Sequence, residues 1–177
     1  VHKAAINDGG IAFTGTTGLL AAQAGWAVAV NYTANSLAAD EVVRAIRTAG
    51  GSAITVQADV ADEAQVLAMY ATVDKEFGTL GGLVNNAGVV DQPARVDQMS
   101  LQRLMRMFAI NLTGSFLCAR EAVKRMSSKH GGAGGVIVNL SSAAARLGSP
   151  GQYVDYAAAK AGIDTFTLGL AREVAAE

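Results

Sequence analysis

Short apolar runs rich in β-branched residues alternate along this chain with longer segments of helical period, and that alternation is the strongest constraint on its fold. The runs are Ile11-Ala12-Phe13, Trp26 to Val30, Ser52 to Ala58, Gly82 to Val84 and Val136 to Leu140. Asn35 to Ala49 carries Ala38, Val42, Ala45, Ile46 and Ala49 on one side, and Gly50-Gly51 stops it. Asp62 to Phe77 carries Val66, Met69, Tyr70, Val73 and Phe77 on one side, with Asp62 placed as N-cap. After Pro93 to Met99, a loop, Ser100 is placed to cap a further helix. From Asn111 to Lys129, Leu112, Phe116, Ala119, Val123 and Met126 recur at intervals of three and four. Strands alternating with helices predict an α/β fold with a parallel sheet, because parallel neighbours require a crossover connection and helices then cover both faces. Val136 to Leu140, bounded by glycines and serines, is expected as a buried strand.

Composition narrows the function classes. The chain has 177 residues, enough for one domain over 1–177, with 51% hydrophobic residues and a net charge of −1. No basic excess points to nucleic acid. Cys118 is the one cysteine, so there is no disulfide framework and no thiolate metal cluster, and a reducing, cytoplasmic setting is expected. His2 and His130 are not spaced to share a metal. No apolar run reaches the ~18 residues of a membrane span. Val1 to Gly10 shows no apolar core of a signal peptide and no other clear pattern.

The chemistry concentrates between Val136 and Lys160. Ser141-Ser142 follows the last strand, a loop with Gly148, Pro150 and Gly151 comes next, and an Ala-rich helix starts near Tyr153. On a helix, Tyr156 and Lys160 lie four apart and share a face. A free tyrosine titrates near pH ~10, too high for acid/base work near neutrality. A neighbouring ammonium favours the phenolate, and a serine hydroxyl can hold a carbonyl or alcohol oxygen while the proton moves. The plain alternative is a packed tyrosine, a surface lysine and serines capping a strand end. Tyr153 has Ala157, not a lysine, at the helical partner position. Lys124, Arg125, Lys129 and His130 read as a solvated helix end, and Cys118 as a packed small hydrophobe.

The order and spacing of Asp59-Val60, Asn85-Asn86-Ala87-Gly88, Asn111, Ser141-Ser142 and Tyr156 with Lys160 resemble the classical short-chain dehydrogenase/reductase family, from about Trp26 to Glu177. The resemblance implies a Rossmann-like doubly wound sheet with strands in the order 3-2-1-4-5. It implies hydride transfer between a nicotinamide cofactor and an alcohol or carbonyl substrate. Tyr156 would be the general acid/base, Lys160 would support the phenolate and hold the ribose, Ser142 would orient the substrate oxygen, and Asn111 would keep the proton path through a water. Asp59 would meet the adenine, Val60 would give a backbone contact, and Asn86, Ala87 and Gly88 would line the cofactor. A small-molecule substrate and a homo-oligomer, dimer or tetramer, built on the exposed faces of the Asn111 and Tyr153 helices, are implied as well.

Two regions depart from the family. Against its Thr-Gly-x-x-x-Gly-x-Gly phosphate loop, the chain reads Thr14-Gly15-Thr16-Thr17-Gly18-Leu19-Leu20-Ala21, with the second glycine one position early and the third missing. Gly15 and Gly18 are the candidate phosphate contacts, and the stretch up to Gly25 leaves room only for a short helix. At the end of the second strand, Asn31-Tyr32-Thr33 replaces the carboxylate that would select NAD, so Asn31 joins the cofactor candidates and NADP is favoured, with NAD possible. The family's last strands and substrate lid have no counterpart after Glu177. The expectation is therefore a sequence incomplete inside Gly15–Gly25 and after Glu177, whose 177 residues alone are not a competent enzyme. The rival readings are a non-catalytic Rossmann-like remnant that does not hold cofactor productively, and an epimerase-type enzyme that also uses Tyr-x-x-x-Lys.

Overall fold

A computed structural model describes residues 3–7 and 11–177, with side chains from residue 15 onward. The strands are β1 (Lys3–Asn7), β2 (Ala27–Tyr32), β3 (Ala53–Gln57), β4 (Gly82–Asn85) and β5 (Val136–Asn139). All pair in parallel, in the order β3-β2-β1-β4-β5, with Ile6 opposite Val30 on one side and Val84 on the other. The helices are α1 (Ile11–Gln23), α2 (Ser36–Thr48), α3 (Glu63–Phe77), α4 (Leu101–Phe108), α5 (Gly114–Met126), α6 (Ala144–Leu147) and α7 (Val154–Val174). A π-turn, Ala109–Thr113, runs α4 into α5 without a break.

Alternation along β2 divides the core. Ala27 and Ala29 face the cluster that holds Tyr70, Met69, Leu83 and Cys118, while Val28 and Val30 face the cluster that holds Val43 and Ile46. Helices α3 and α5 supply the first cluster, and Phe166 and Leu170 of α7 pack against it. Helix α2 supplies the second, with Leu19, Ala21 and Ala22 of α1 beside it. Tyr70 is fully buried and its hydroxyl donates to the Cys118 carbonyl at 2.7 Å, which satisfies its polar end. Burial pushes the Tyr70 phenol well above its ordinary pKa, with the neighbouring Cys118 adding to the rise.

Local signals hold where they are short-range. Asp62 accepts from the backbone N–H groups of Ala64 and Gln65, Ser100 from Arg103, and Asn35 from Ala38, so each caps its helix. Val66, Met69, Tyr70, Val73 and Phe77 are the buried face of α3.

Several expectations are corrected. The first strand is Lys3–Asn7, and Ile11-Ala12-Phe13 opens α1 instead of forming a strand. Gly15 and Gly18 therefore sit inside α1 and not in a strand-to-helix turn, and a Cβ on Gly15 would lie 3.4 Å from Val42 of α2. With the strand at residues 3–7, α1 has 13 residues, so the shortage inferred for Gly15–Gly25 disappears. The reading of Val1 to Gly10 as patternless fails at β1, and residues 1, 2 and 8–10 lie outside the described residues. On α2 the buried stripe is Ala39, Val43 and Ile46, while Ala45 and Ala49 are exposed. Asn111 does not open a helix but lies inside the π-turn. Phe116 is 46% exposed and stacks on Phe166 of α7 at 3.7 Å. Val136 and Val138 of β5, expected buried, are about half exposed on the strand that lies at the edge of the sheet among the described residues. Arg125 is not a free helix-end cation: it pairs with Asp74 and Glu121 and lies over the Tyr70 ring at 4.8 Å.

Two glycines separate packing from propensity. A Cβ on Gly114 would stand 2.7 Å from Val60 Cγ2 and 3.1 Å from the Val60 carbonyl, while one on Gly169 would meet nothing. Gly114→Ala should cost about 1–3 kcal/mol through overpacking despite better helix propensity. Gly169→Ala, inside α7, should stabilise by about 0.5–1 kcal/mol. Urea unfolding midpoints check both, and equal shifts would contradict the packing argument.

Candidate active site

The carboxyl ends of β3, β4 and β5, the π-turn and the first turns of α7 come together at one end of the sheet. Strand β5 sets the position of its own last peptide: the Leu140 N–H donates to the Asn85 carbonyl at 2.9 Å. The Leu140 carbonyl accepts from Lys160 Nζ at 2.7 Å. Lys160 is 4% exposed, and its ammonium lies 5.8 Å from the centre of the Tyr156 ring. Burial lowers the Lys160 pKa, and the negative charge of Asp164, one turn on, works against that shift. Tyr156 itself is half-buried.

Gly88 stands between Lys160 and Asn111. A Cβ there would come within 2.9 Å of Asn111 Oδ1 and 3.7 Å of Lys160 Nζ, so only bare backbone fits. Asn111, fully buried, acts as a surrogate strand for this turn. Its Oδ1 accepts from the Val89 N–H at 3.0 Å, and its Nδ2 donates to the Val89 carbonyl at 2.9 Å and the Met107 carbonyl at 3.0 Å. The side chain that the family resemblance links to a water is thus engaged with protein backbone. Ala87 is buried and Asn86 half-buried beside it.

Ser142 Oγ accepts from the Ala144 N–H at 3.2 Å at the start of α6, which leaves its own proton to donate. Ser141 Oγ donates to the Lys160 carbonyl at 3.3 Å, so it ties β5 to α7. Asp59 Oδ1 accepts from the Ala61 N–H at 2.9 Å, which caps the turn after β3, and leaves its second oxygen for another donor. Val60 is buried against Gly114 at the head of α5.

Three candidates fall outside this constellation. Gly15 and Gly18 lie within α1, and the segment between β1 and α1, with Gly9 and Gly10 in it, is outside the described residues. Asn31 is 1% exposed and turned inward, its Nδ2 donating to the carbonyls of Val56 at 3.1 Å and Ala58 at 3.0 Å. Its Oδ1 has no partner among the described residues.

Two features had no signal in the sequence reading. Asn85 Nδ2 donates to Asn139 Oδ1 at 2.8 Å, and Asn139 Nδ2 to Thr167 Oγ1 at 2.9 Å, a polar chain from β4 through β5 to α7. Asp155, one residue before Tyr156, is buried and paired with Arg103 of α4. Burial alone would raise the Asp155 carboxyl, but the Arg103 hydrogen bond and the N–H groups of Tyr156 and Asp155 outweigh it and hold it below the ordinary carboxylate pKa. Partners 52 residues apart leave no local pattern; the acidic residue in the first turn of α7 reads only as dipole-favourable.

Known proteins share this sequence and architecture. The short chain dehydrogenase family model matches residues 8–177. The uncharacterized oxidoreductase YgfF of Escherichia coli K12 is 55% identical over 161 residues, 91% of this chain and 65% of that protein. A 3-oxoacyl-acyl-carrier-protein reductase of Synechocystis is 40% identical over 159 residues, 90% of this chain and 62% of that protein. The chain thus spans less than two thirds of the length of these two curated relatives. The short-chain dehydrogenase/reductase of Serratia marcescens BCRC 10948 superposes with a TM-score of 0.87 at 32% identity, over 98% of this chain and 69% of that one. A short chain dehydrogenase from Burkholderia cenocepacia J2315, solved in complex with NADP, has a TM-score of 0.87 at 29% identity, over 98% and 69% of the two chains. On this sequence match and this fold, the chain belongs to the short chain dehydrogenase family of oxidoreductases.

Proposed function

We propose that this protein interconverts an alcohol and a carbonyl compound with NADP(H), with Tyr156 as general acid/base. The observation that carries this reading is the seat of Lys160, whose buried ammonium lies between the Leu140 carbonyl and the Tyr156 ring, beside the bare turn at Gly88. A positive charge in this position favours negative charge developing on the phenolic oxygen, and low exposure strengthens the effect. Ser142 donates its hydroxyl proton to the substrate oxygen and fixes it for exchange with Tyr156. Asn111 holds the Gly88–Val89 turn and, with Lys160, borders the path by which the proton is replenished.

The residues present fit a dinucleotide. A turn too tight for any Cβ at Gly88 suits the close approach of a flat ring, with Asn86 and Ala87 alongside. The second Asp59 oxygen suits an adenine amine, Val60 offers backbone, and the N-terminus of α1 suits the pyrophosphate in place of Gly15 and Gly18. Lys160 and Tyr156 suit the ribose hydroxyls. When bound, the cofactor supplies or accepts the hydride. NADP is favoured because Asn31, Tyr32 and Thr33 present no carboxylate to repel a 2′-phosphate, and a structural relative carries NADP. The likeness to a 3-oxoacyl reductase makes β-keto thioesters the first substrate class to try. Exposed Leu101, Met105 and Phe116 along α4 and α5, with Leu168 on α7, favour a homo-oligomer. Among the described residues no helix is long and apolar enough to cross a membrane.

Tyr156→Phe should lower kcat by about 10²–10⁴-fold with acetoacetyl-CoA as probe, while NADPH binding, read by nicotinamide fluorescence, stays within about threefold. Loss of turnover in Tyr153→Phe with an active Tyr156→Phe would reverse the assignment. The kcat/KM for NADPH should exceed that for NADH by about tenfold, or about 1.4 kcal/mol, and an equal preference for NADH would refute the cofactor choice.

A further inference from the structure

Arg103 has no part in the chemistry above, yet three segments meet at its guanidinium. Nε donates to Asp155 Oδ2 at 2.8 Å and Nη2 to Asp155 Oδ1 at 3.3 Å, a two-pronged pair. Nη1 donates to the Gln92 carbonyl at 2.6 Å, in the loop that follows Gly88. The same loop is held a second time, by Ala94 N–H on the Gln152 carbonyl at 3.0 Å, just before α7. The Asp155 side chain is fully buried and Arg103 is 10% exposed. The Tyr156 backbone N–H is among the groups that hold the Asp155 carboxyl low.

Helix α7 does not fix its own entry. Tyr153, at the N-cap, makes no side-chain capping bond. The loop before it turns through positive φ at Gly148, Ser149 and Gly151. An uncapped helix end frays, and its first turn is where Tyr156 sits. A forked guanidinium–carboxylate pair fixes orientation as well as distance, which a point charge does not. A buried ion pair is seldom a net gain in stability over apolar residues of the same size, so its position one residue from Tyr156 points to orientation instead.

We propose that Arg103 and Asp155 are a positioning pair that fixes the first turn of α7 against α4 and the Gly88–Gln92 loop, and so sets where the Tyr156 hydroxyl stands. This rests on the function proposed above. The pair touches no reacting atom. Its effect falls more on the chemical step than on cofactor binding, because displacement of a reacting group by about 1 Å is enough to cost up to about 10²-fold in rate.

The test uses the full chain with NADPH and acetoacetyl-CoA. Arg103→Lys keeps the charge and loses the fork. The double variant Arg103→Met with Asp155→Leu removes both charges, so that no unpaired ion is left buried. Asp97→Asn, in the exposed Arg95–Asp97 pair, is the control. In both test variants kcat should fall by about tenfold or more and by clearly more than KM for NADPH rises, and the control should match wild type. Amide exchange, which needs neither substrate nor cofactor, should rise in residues 153–157 and stay unchanged in α3. Wild-type kcat in either folded variant, an equal rise of exchange in α3, or loss of a cooperative melt in both would overturn the proposal. A full-length wild-type protein as inactive as its Tyr156→Phe variant would refute the assigned function instead. The exchange result then still decides whether the pair holds the turn.

Discussion

The site depends on holding one buried lysine by a backbone carbonyl. A lysine at 4% exposure is expensive unless the protein itself supplies partners. The partner at hand is the carbonyl of Leu140, the residue just after β5, whose N–H donates to Asn85 on β4. Both backbone groups of that residue are therefore engaged, the N–H by the neighbour strand and the carbonyl by α7. Tyr156 is placed by the same arrangement, since it rides on the helix that Lys160 anchors.

A second polar line runs parallel to this one. Asn85, Asn139 and Thr167 connect β4, β5 and α7 through side chains, and Thr167 returns its proton to the Ile163 carbonyl within its own helix. Asn85 also donates to the Ser115 carbonyl in α5. Such networks are costly when incomplete and fix a unique arrangement when every member is satisfied. The strand ends, which have no further sheet partners beyond the last ladder bonds, are thereby joined to the helices on that side.

How much of this was legible depended on how local the cause was. Caps at Asp62 and Ser100 follow from a residue and the N–H groups within three positions of it, and the α3 face follows from period alone. The first strand was misplaced because Ile11-Ala12-Phe13 is more apolar than Lys3-Ala4-Ala5-Ile6-Asn7, although only the latter pairs with β2 and β4. On α2, two apolar stripes that share Ile46 lie side by side, and the sheet, which the sequence does not display, chose Ala39 and Val43 over Ala45 and Ala49. Asn31 stands at a strand end where a ligand contact is reasonable, but alternation turns it toward β3. Tyr156 and Lys160 were visible because a helical turn relates them. Arg103 and Asp155 were not, because only the packing of α4 on α7 does.

A stripe drawn from Asn111 to Lys129 placed Phe116 inside, whereas the buried face of α5 runs through Ser115, Cys118, Ala119, Ala122 and Met126, and the π-turn sets how that face is aimed relative to α4. A π-turn holds one residue more than the α-turn it replaces, which rotates all that follows by about 100°. Helix α4 can then lean on α7 while α5, its own continuation, faces β4 and the first core cluster. A straight helix through the same residues would have to give up one neighbour. Excising a single residue there would not be a local repair but a change of register for every side chain downstream, and the irregular turn is therefore what lets one rod of backbone serve two walls.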